Sequence, residues 1–303
     1  MGEDLKITKA IVDSDMDGVL CGALLCSVFG DLQVTLTKPQ EVQSGMYDGV
    51  VDENTVVADL AYIKGCGLYF DHHLSNKPNE DQKIIGLWSD LQCATKIIFE
   101  YYKNDFDLKK YKELVEFVDR FDRGLIYKSD IENPNSFIIL AFNITREDKE
   151  FDLKVLKSLF KMNNTVDFFK EQFVIDRMNL FKQQLEEYYE YLKTHVEVVE
   201  KVAFVDNREF SHDMKHSYFV DLKYPNVDVV VMVKKQKNDP SILELTCFRN
   251  TFNDKRLDHN LLELAKAINP EFYGGHSYAC GTTLPGSLSL EDAKLKIVKM
   301  LRK

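Results

Sequence analysis

The sequence predicts an α/β fold, in which a parallel sheet forms an N-terminal domain and a helix joins it to a smaller α+β C-terminal domain. Short apolar runs at residues 7–12, 55–58 and 67–70 alternate with helical patterns, as expected for parallel strands joined by crossover helices. A charged helical stretch at residues 151–199 follows, and the chain then changes to short β-rich runs. This change in pattern predicts the second domain.

The composition excludes several classes of protein. The chain has 303 residues, of which 45% are hydrophobic, and this is enough to bury a full core. Its net charge of −10 argues against a protein that coats nucleic acid, because that class carries a broad basic face. The six cysteines form no CxxC pair, and neither a long apolar run nor a signal-peptide pattern occurs. We expect a cytoplasmic protein with reduced thiols and no contact with a membrane.

Acidic side chains stand where three of the predicted strands end. The first strand leads into Asp13-Ser14-Asp15-Met16-Asp17-Gly18, the second ends at Asp59, and the third leads into Asp71-His72-His73. In open α/β sheets, ligands bind at this carboxyl edge. Residues i and i+2 of an extended segment point the same way, so Asp13, Asp15 and Asp17 are expected to share one side if the backbone stays extended. Gly18 would then allow the chain to turn into a helix.

The remaining elements follow from periodicity. Helices are predicted at Ala94–Tyr102 and at residues 109–121, with Gly124 as the stop signal of the second. Three strands are predicted in the C-terminal part, at residues 202–205, 227–233 and 243–248. Two helices are predicted there at residues 261–268 and 289–301, and a tight loop at residues 273–276. We place the domain boundary near Thr194, which gives domains at residues 1–194 and 195–303.

The residue types at the strand ends suit a pair of divalent metal ions. Such a pair needs a carboxylate between the ions and further Asp or His ligands on each, and Asp15, Asp17, Asp59 and His72 could supply them. A calcium loop is the alternative for the acidic run alone, but its twelfth position is Leu24, where an EF-hand has Glu. Adjacent histidines on a strand face opposite sides, so one can hold metal while the other faces substrate. The pattern predicts hydrolysis of a phosphate ester.

These motifs resemble those of the DHH phosphoesterase superfamily, which includes RecJ-type exonucleases, nanoRNases, cyclic dinucleotide phosphodiesterases and family II inorganic pyrophosphatases. The matching segments are Asp13-Ser14-Asp15-Met16-Asp17-Gly18, Val57-Ala58-Asp59, Asp71-His72-His73 and Val118-Asp119-Arg120-Phe121-Asp122. The resemblance implies two manganese ions, or magnesium in their place, held by Asp15, Asp17, Asp59, His72 and one aspartate of the 119/122 pair. It also implies that Asp59 bridges the two ions and that His73 contacts the scissile phosphate.

Two features leave the set of metal ligands open. Many members of the superfamily carry a histidine just before the aspartates, where this chain has Ile11, Val12 and Asp13, so Asp13 is a candidate replacement ligand. Asp119 and Asp122 fit the helix-end motif about equally well. We favour Asp119 and keep Asp122 as the alternative.

The C-terminal part resembles the DHHA1 domain of the same superfamily. The run Gly274-Gly275-His276-Ser277-Tyr278-Ala279-Cys280-Gly281 is similar to its GGHxxAAG signature, with a cysteine in place of one alanine, and residues 246–250 are similar to its strand-end Ser-x-Arg. The glycines let backbone N–H groups approach phosphate oxygens, His276 can donate to these oxygens, and Arg249 can bind them bidentately. We expect substrate to be bound by Arg249, Asn250, Gly274, Gly275 and His276.

Together, the resemblance and the residue chemistry predict a manganese-dependent phosphodiesterase of nanoRNase or exonuclease type. Its expected substrates are short oligonucleotides or linear or cyclic dinucleotides, because the chain offers no broad basic channel to hold a long strand. Polyphosphate or pyrophosphate hydrolysis by the same kind of site is one alternative, and a metal-free scaffold subunit is another. The apolar positions at residues 180–192 would suit a homodimer.

Overall fold

The computed structural model describes residues 6–79, 81–212, 217–236, 239–257, 259–275 and 277–302. The chain divides into two compact units. Unit 1 comprises Met1–Ile126 and Pro134–Asn179, and unit 2 comprises Tyr127–Asn133 and Leu180–Lys303.

Unit 1 is built on a five-stranded parallel sheet. Its strands are β1 (Lys9–Asp13), β2 (Gln33–Thr37), β3 (Thr55–Ala58), β4 (Leu68–Asp71) and β5 (Gly86–Trp88). The strand order is β2-β1-β3-β4-β5, and every neighbouring pair is parallel. The direction in which the chain adds strands reverses between β1 and β3, and ligands of such sheets bind at this switch point, beyond the carboxyl ends of the strands. The predicted α/β class is confirmed, although β2 and β5 were not predicted.

In sequence, α-helices lie between the strands of the parallel sheet and follow them as far as His195. They are α1 (Met16–Phe29), α2 (Pro39–Gln43), α3 (Ala94–Tyr102), α4 (Lys112–Asp122), α5 (Lys128–Glu132), α6 (Ser136–Asn143), α7 (Lys149–Lys161), α8 (Thr165–Phe168) and α9 (Gln172–His195). Of these, α5 belongs to unit 2, and α9 begins in unit 1 and ends in unit 2. The central helix α1 packs against α3 and α7 and is buried at all positions but Ser27 and Phe29, which explains why its sequence is almost entirely apolar apart from Asp17.

Unit 2 is an α+β unit with a six-stranded mixed sheet. Its strands are β6 (Val196–Val199), β7 (Val202–Asp206), β8 (Val229–Lys235), β9 (Leu243–Arg249), β10 (Tyr273–Gly275) and β11 (Ala279–Thr283), and its other helices are α10 (Tyr218–Lys223), α11 (Leu261–Ile268) and α12 (Leu290–Leu301). The strand order is β10-β11-β9-β8-β7-β6, with β7 and β8 parallel and the other pairs antiparallel. Residues of α11 and α12 share one apolar core with this sheet. The predicted α+β class is thereby confirmed.

The division between the units lies within α9, after Asn179, whereas the sequence pattern placed it near Thr194. The second half of the helix packs on unit 2 through its aromatic side chains. The ring of Tyr188 lies 4.9 Å from that of Phe210, and the ring of Phe181 lies 6.2 Å from that of Phe219. The charged surface of the helix hid this division, because helical periodicity continues unbroken across it.

Two local predictions need correction. Residues 196–199 were included in the helical stretch but form β6, a valine-rich strand that pairs with β7. Gly274 and Gly275 were predicted in a tight loop but lie in β10, and Gly275 pairs with Cys280 of β11. In the part of the chain that the structure describes, no helix has both the length and the apolar character that a membrane crossing requires.

Candidate metal centre and substrate-binding residues

The carboxyl edge of the parallel sheet gathers the acidic motifs. Strand β1 ends at Asp13, β3 is followed at once by Asp59, and β4 ends at Asp71, directly before His72 and His73. Three groups of side chains could each hold a metal ion, because within each group the oxygen and nitrogen atoms lie within 4.8 Å of one another. The groups are Asp13, Asp15 and Asp59; Asp17, His72 and Asp122; and Asp59, Asp71, His72 and His73. The sheet topology therefore brings residues from distant parts of the sequence into one cluster.

The first acidic run is not extended over its whole length, contrary to the expectation. Asp13 ends β1, and Asp15 is the N-cap of α1 and accepts a hydrogen bond from the backbone N–H of Gly18 at 3.0 Å. Asp17 lies in the first turn of α1. The three aspartates therefore lie on three kinds of backbone, namely a strand end, a helix N-cap and the first turn of a helix. They do not share one side through the alternation of an extended strand.

Asp17 also orients the helix that follows the DHH segment. Its two carboxylate oxygens accept hydrogen bonds from the backbone N–H groups of Ala94 and Thr95, at 2.8 and 2.9 Å, at the start of α3. A carboxylate at a helix N-terminus receives unpaired N–H donors and the favourable end of the helix dipole. Asp17 is thus held rigidly while its Oδ2 lies 3.8 Å from Nε2 of His72.

Asp59 is the most constrained residue of the cluster. Its backbone has φ of 59°, in the left-handed region that aspartate tolerates better than most residues, and its N–H donates to the carbonyl oxygen of Phe70. The side chain is 1% exposed, and neither carboxylate oxygen has a hydrogen-bond partner in the described residues. Burial, together with the charges of Asp17, Asp15 and neighbouring carboxylates, raises the pKa of Asp59 well above its ordinary value.

His72 points into the same space. Its Nε2 lies 3.3 Å from Oδ1 of Asp59 and 3.5 Å from Oδ2 of Asp122 and, within the described residues, makes no hydrogen bond of acceptable geometry. Burial lowers the pKa of His72 and outweighs the opposing effect of Asp17. A neutral imidazole nitrogen and orphaned carboxylate oxygens at this spacing are the donors that a divalent cation takes up. The residues present therefore fit a divalent metal ion.

His73 is held by a separate chain of hydrogen bonds. Its Nδ1 lies 2.8 Å from Oδ1 of Asp71, and Oδ2 of Asp71, which is fully buried, accepts a hydrogen bond from the Tyr69 hydroxyl at 2.9 Å. Burial alone would lower the pKa of His73, but the hydrogen bond and charge of Asp71, with smaller effects from Asp122 and Asp15, raise it to about 9. The chain's single tryptophan, Trp88, donates its indole N–H to the carbonyl oxygen of His73 at 3.0 Å.

The two helix-end aspartates differ in their surroundings. Oδ1 of Asp119 accepts a hydrogen bond from the backbone N–H of Cys93 at 3.0 Å, and Oδ2 lies 3.5 Å from the ammonium group of Lys96. Asp122, one turn later on α4, is the residue whose carboxylate reaches His72. The geometry favours Asp122 as the ligand, against our preference from sequence, because Asp119 is committed to the start of α3.

Arg146, which the sequence motifs did not indicate, completes the cluster. It lies between α6 and α7 with φ of 65°, and its guanidinium group binds both carboxylate oxygens of Asp13 and also Oδ2 of Asp15. Burial and the charge of Asp15 raise the pKa of Asp13 to about 7, so Arg146 offsets only part of the cost of burying this carboxylate. An isolated arginine in a loop carries no local sequence signal that could have identified it.

In unit 2, the side chains of the predicted substrate-binding residues Arg249 and Asn250 make hydrogen bonds to the protein's own backbone. Arg249 ends β9 and donates through Nε and Nη2 to the carbonyl oxygen of His259, at 3.0 and 2.7 Å. Asn250 is fully buried, and its side chain donates to the carbonyl oxygen of Tyr224 and accepts from the N–H of Phe252. Asn250 therefore holds the loop after β9 in place, and we withdraw it as a substrate ligand.

Gly274 and Gly275 are exposed on β10, while His276 lies outside the described residues. Gly275 has φ of 116°, and an added Cβ would lie 2.5 Å from the carbonyl oxygen of Ala279. Glycine is required at this position by both the backbone angle and the close approach of β11. The two exposed glycines leave a strip of bare backbone on β10, and β11 separates this strand from β9, which ends at Arg249.

No protein-family model and no curated protein matches this chain. Solved structures do match its fold. A pGpG-specific phosphodiesterase, PggH from Vibrio cholerae, has 17% identity and a TM-score of 0.78, over 97% of this chain and 98% of that one. The DHH domain of a protein described as a member of a ribosomal protein family has 11% identity and a TM-score of 0.60, over 97% and 86%.

RecJ from Thermus thermophilus, in complex with Mn²⁺, has 14% identity and a TM-score of 0.59. This match covers 98% of the present chain but 52% of RecJ, so the chain corresponds to about half of that protein. At sequence identities this low, structural similarity shows that these proteins share a fold. Over nearly its whole length, this chain has the fold of the DHH phosphoesterases.

Proposed function

We propose that this protein is a divalent-metal-dependent phosphodiesterase that hydrolyses short oligonucleotides or linear or cyclic dinucleotides, with manganese as the preferred ion. The observation that carries the proposal is the pair Asp59 and His72, whose buried oxygen and nitrogen atoms have no hydrogen-bond partner in the described residues and lie 3.3 Å apart. Buried polar atoms are nearly always paired, and an exception is explained by a bound ion, an ordered water molecule or a catalytic role. A carboxylate and an imidazole at this spacing form a donor set that suits a divalent ion.

We assign metal binding to Asp15, Asp17, Asp59, His72 and Asp122, which lie in the overlapping groups around Asp59 and His72. A divalent ion bound there would lower the pKa of a water molecule and neutralise charge on phosphoryl oxygens. The hydrogen bonds from α3 to Asp17 and the fixed backbone of Asp59 hold these carboxylates in position before any ion arrives. Such preorganisation reduces the cost of assembling the site.

His73 would contact the phosphate. Because Asp71 fixes its Nδ1, the Nε2 atom faces away from Asp71 and can donate to a phosphoryl oxygen. The hydrogen bond and charge of Asp71 outweigh burial and raise the pKa of His73, which favours the protonated imidazole, and a charged donor binds an anionic oxygen more strongly than a neutral one. His73 therefore acts as an electrophilic donor to the phosphate in this proposal.

An exposed aromatic side chain near Arg249 favours a nucleotide over polyphosphate. The backbone N–H of Arg249 donates to the carbonyl oxygen of Tyr278, so the two residues are neighbours across β9 and β11, and the Tyr278 side chain is 55% exposed. Aromatic rings stack on nucleobases, whereas a polyphosphate chain offers them nothing to stack on. The matched PggH structure is described as pGpG-specific, and this supports a dinucleotide as the substrate.

The proposal is tested with a panel of substrates in the presence of Mn²⁺. We expect release of mononucleotide from a linear dinucleotide, at a rate at least about tenfold above that for polyphosphate, pyrophosphate or p-nitrophenyl phosphate. Tyr278→Leu should raise KM for the dinucleotide several-fold and leave hydrolysis of p-nitrophenyl phosphate unchanged. Faster hydrolysis of polyphosphate or pyrophosphate would support that alternative, and inactivity on every substrate together with no binding of Mn²⁺ would support a scaffold.

The two helix-end aspartates offer a direct test of the ligand set. Asp122→Asn is expected to weaken Mn²⁺ binding by about tenfold or more, since it removes a charged ligand near His72. Asp119→Asn is the matched control, and it should weaken binding much less, because Asp119 already accepts from Cys93. Isothermal titration calorimetry with Mn²⁺ measures both. A larger loss in Asp119→Asn than in Asp122→Asn would reverse the assignment.

A further inference from the structure

Arg146 is held in the cluster by its backbone conformation and by several hydrogen bonds. It is one of the few residues other than glycine with positive φ in the described chain, a strained conformation that persists only when the surroundings impose it. Its Nε donates to Oδ1 of Asp13 at 3.0 Å, and its Nη2 donates to Oδ2 of Asp13 at 2.6 Å and to Oδ2 of Asp15 at 2.5 Å. The ion pairs fix both the position and the plane of the guanidinium group.

Asp13 is fully engaged by protein donors. It is 1% exposed, and its Oδ1 accepts from the backbone N–H of Ser14 at 2.6 Å in addition to Nε of Arg146. A cation at Asp13 would have to displace a bidentate arginine from a buried carboxylate. The arrangement therefore differs from that of Asp59, whose oxygens have no hydrogen-bond partner in the described part of the chain.

The outer edge of Arg146 remains available. The Nη1 atom donates no hydrogen bond to any described residue, and the side chain is 40% exposed. The same guanidinium lies against Asp15, which shares a group of closely spaced ligand atoms with Asp59. A planar guanidinium anchored on one edge and open on the other is well suited to bind a phosphate oxygen.

We propose that Arg146 is a substrate-binding residue for a phosphoryl group and that Asp13 is its anchor and does not bind metal. The inference rests on the proposed function, since it assigns a phosphate to the space beside Asp15. It predicts that Asp13 and Arg146 act as one unit. Replacement of either residue should therefore weaken phosphate binding, and replacement of both should weaken it no more than the loss of Arg146 alone.

The variants Arg146→Gln, Asp13→Asn and the double variant test this inference. In isothermal titration calorimetry with Mn²⁺ present, Arg146→Gln should bind inorganic phosphate about tenfold or more weakly than the unaltered protein. Asp13→Asn should also weaken phosphate binding, and the double variant should match Arg146→Gln. The dissociation constant for Mn²⁺ should change less than about threefold in each variant.

Arg208→Gln is the matched control. Arg208 binds Asp206 of unit 2 through Nε and Nη2 at 2.8 and 2.7 Å, with the same bidentate geometry and an arginine side chain as exposed as that of Arg146, although Asp206 itself is not buried as Asp13 is. This variant should leave the binding of both phosphate and Mn²⁺ unchanged. Arg146→Lys keeps the positive charge but loses the paired N–H donors of the guanidinium group. It should fold normally, as judged by circular dichroism, and bind phosphate with intermediate affinity.

Three results would overturn the inference. If Asp13→Asn weakens Mn²⁺ binding by about tenfold or more, Asp13 is a metal ligand. If Arg146→Gln tightens Mn²⁺ binding and leaves phosphate binding unchanged, Arg146 only neutralises the acidic cluster. If the unaltered protein with Mn²⁺ does not bind phosphate, the subsite does not exist. Phosphate binding without hydrolysis of any substrate would instead contradict the proposed function and leave the assignment of Arg146 intact.

Discussion

Asp59→Asn is expected to reduce metal-dependent hydrolysis by about a thousandfold or more, because it removes the carboxylate at the centre of the cluster. The same change should stabilise the metal-free protein. The pKa of Asp59 is raised in the folded state, so its ionisation opposes folding at every pH above its ordinary pKa of 3.8, and asparagine removes this cost. Asparagine also tolerates the left-handed backbone at this position.

Opposite changes in activity and stability identify a site that sacrifices stability for function. Steady-state kinetics on the best substrate and thermal unfolding in a chelator measure the two changes. Asp52→Asn is the control, since Asp52 pairs at the surface with Lys9 and should affect activity little. A variant at Asp59 that keeps more than about a tenth of the activity would contradict the central role of this carboxylate.

Gly18→Ala is expected to destabilise the protein by about 3 kcal/mol. An added Cβ would lie 2.1 Å from the backbone carbonyl oxygen of Asp13, and this backbone is fixed because Asp13 pairs with Thr37 in the sheet. Gly18 is thus needed for the close return of α1 over the end of β1, even though its φ is not positive. Urea unfolding of the metal-free protein measures the loss.

Gly22→Ala, one turn later on α1, is the matched control. Its added Cβ would meet Cδ1 of Leu156 at 2.4 Å, the far end of a flexible side chain that can move, and alanine gains about 1 kcal/mol of helix propensity. We expect a net change within about 1 kcal/mol in either direction. Equal losses in the two variants would show that general crowding of α1, and not contact with the Asp13 backbone, sets the cost at Gly18.

The buried strands and the order of the motifs were predictable from sequence. Runs such as Thr55–Ala58 are apolar on both faces, as a strand inside a parallel sheet requires, and the acidic residues follow the strand ends. The partly exposed edge strands β2 and β5 were not predicted. Strand β2 mixes polar and apolar residues and β5 has only three residues, so both give a weak signal and only pairing with a neighbouring strand defines them.

Choices between neighbouring side chains required coordinates. Asp119 and Asp122 are equivalent by motif, and only the position of the start of α3 shows that Asp119 is occupied by Cys93. Asn250 is likewise a reasonable ligand by motif, but the loop after β9 uses its amide group internally. The place of Arg146 in the cluster could not be predicted, because its partner Asp13 lies far from it in the sequence. Short-range patterns cannot encode such contacts.

The indole of Trp88 gives this protein a built-in optical reporter. As the single tryptophan, it contributes all of the tryptophan emission, and its N–H is bonded to the main chain of His73. Any shift of that segment when a cation or a nucleotide arrives should change the wavelength or intensity of the fluorescence. Occupancy can therefore be followed by titration without a label, including in variants that no longer turn over substrate.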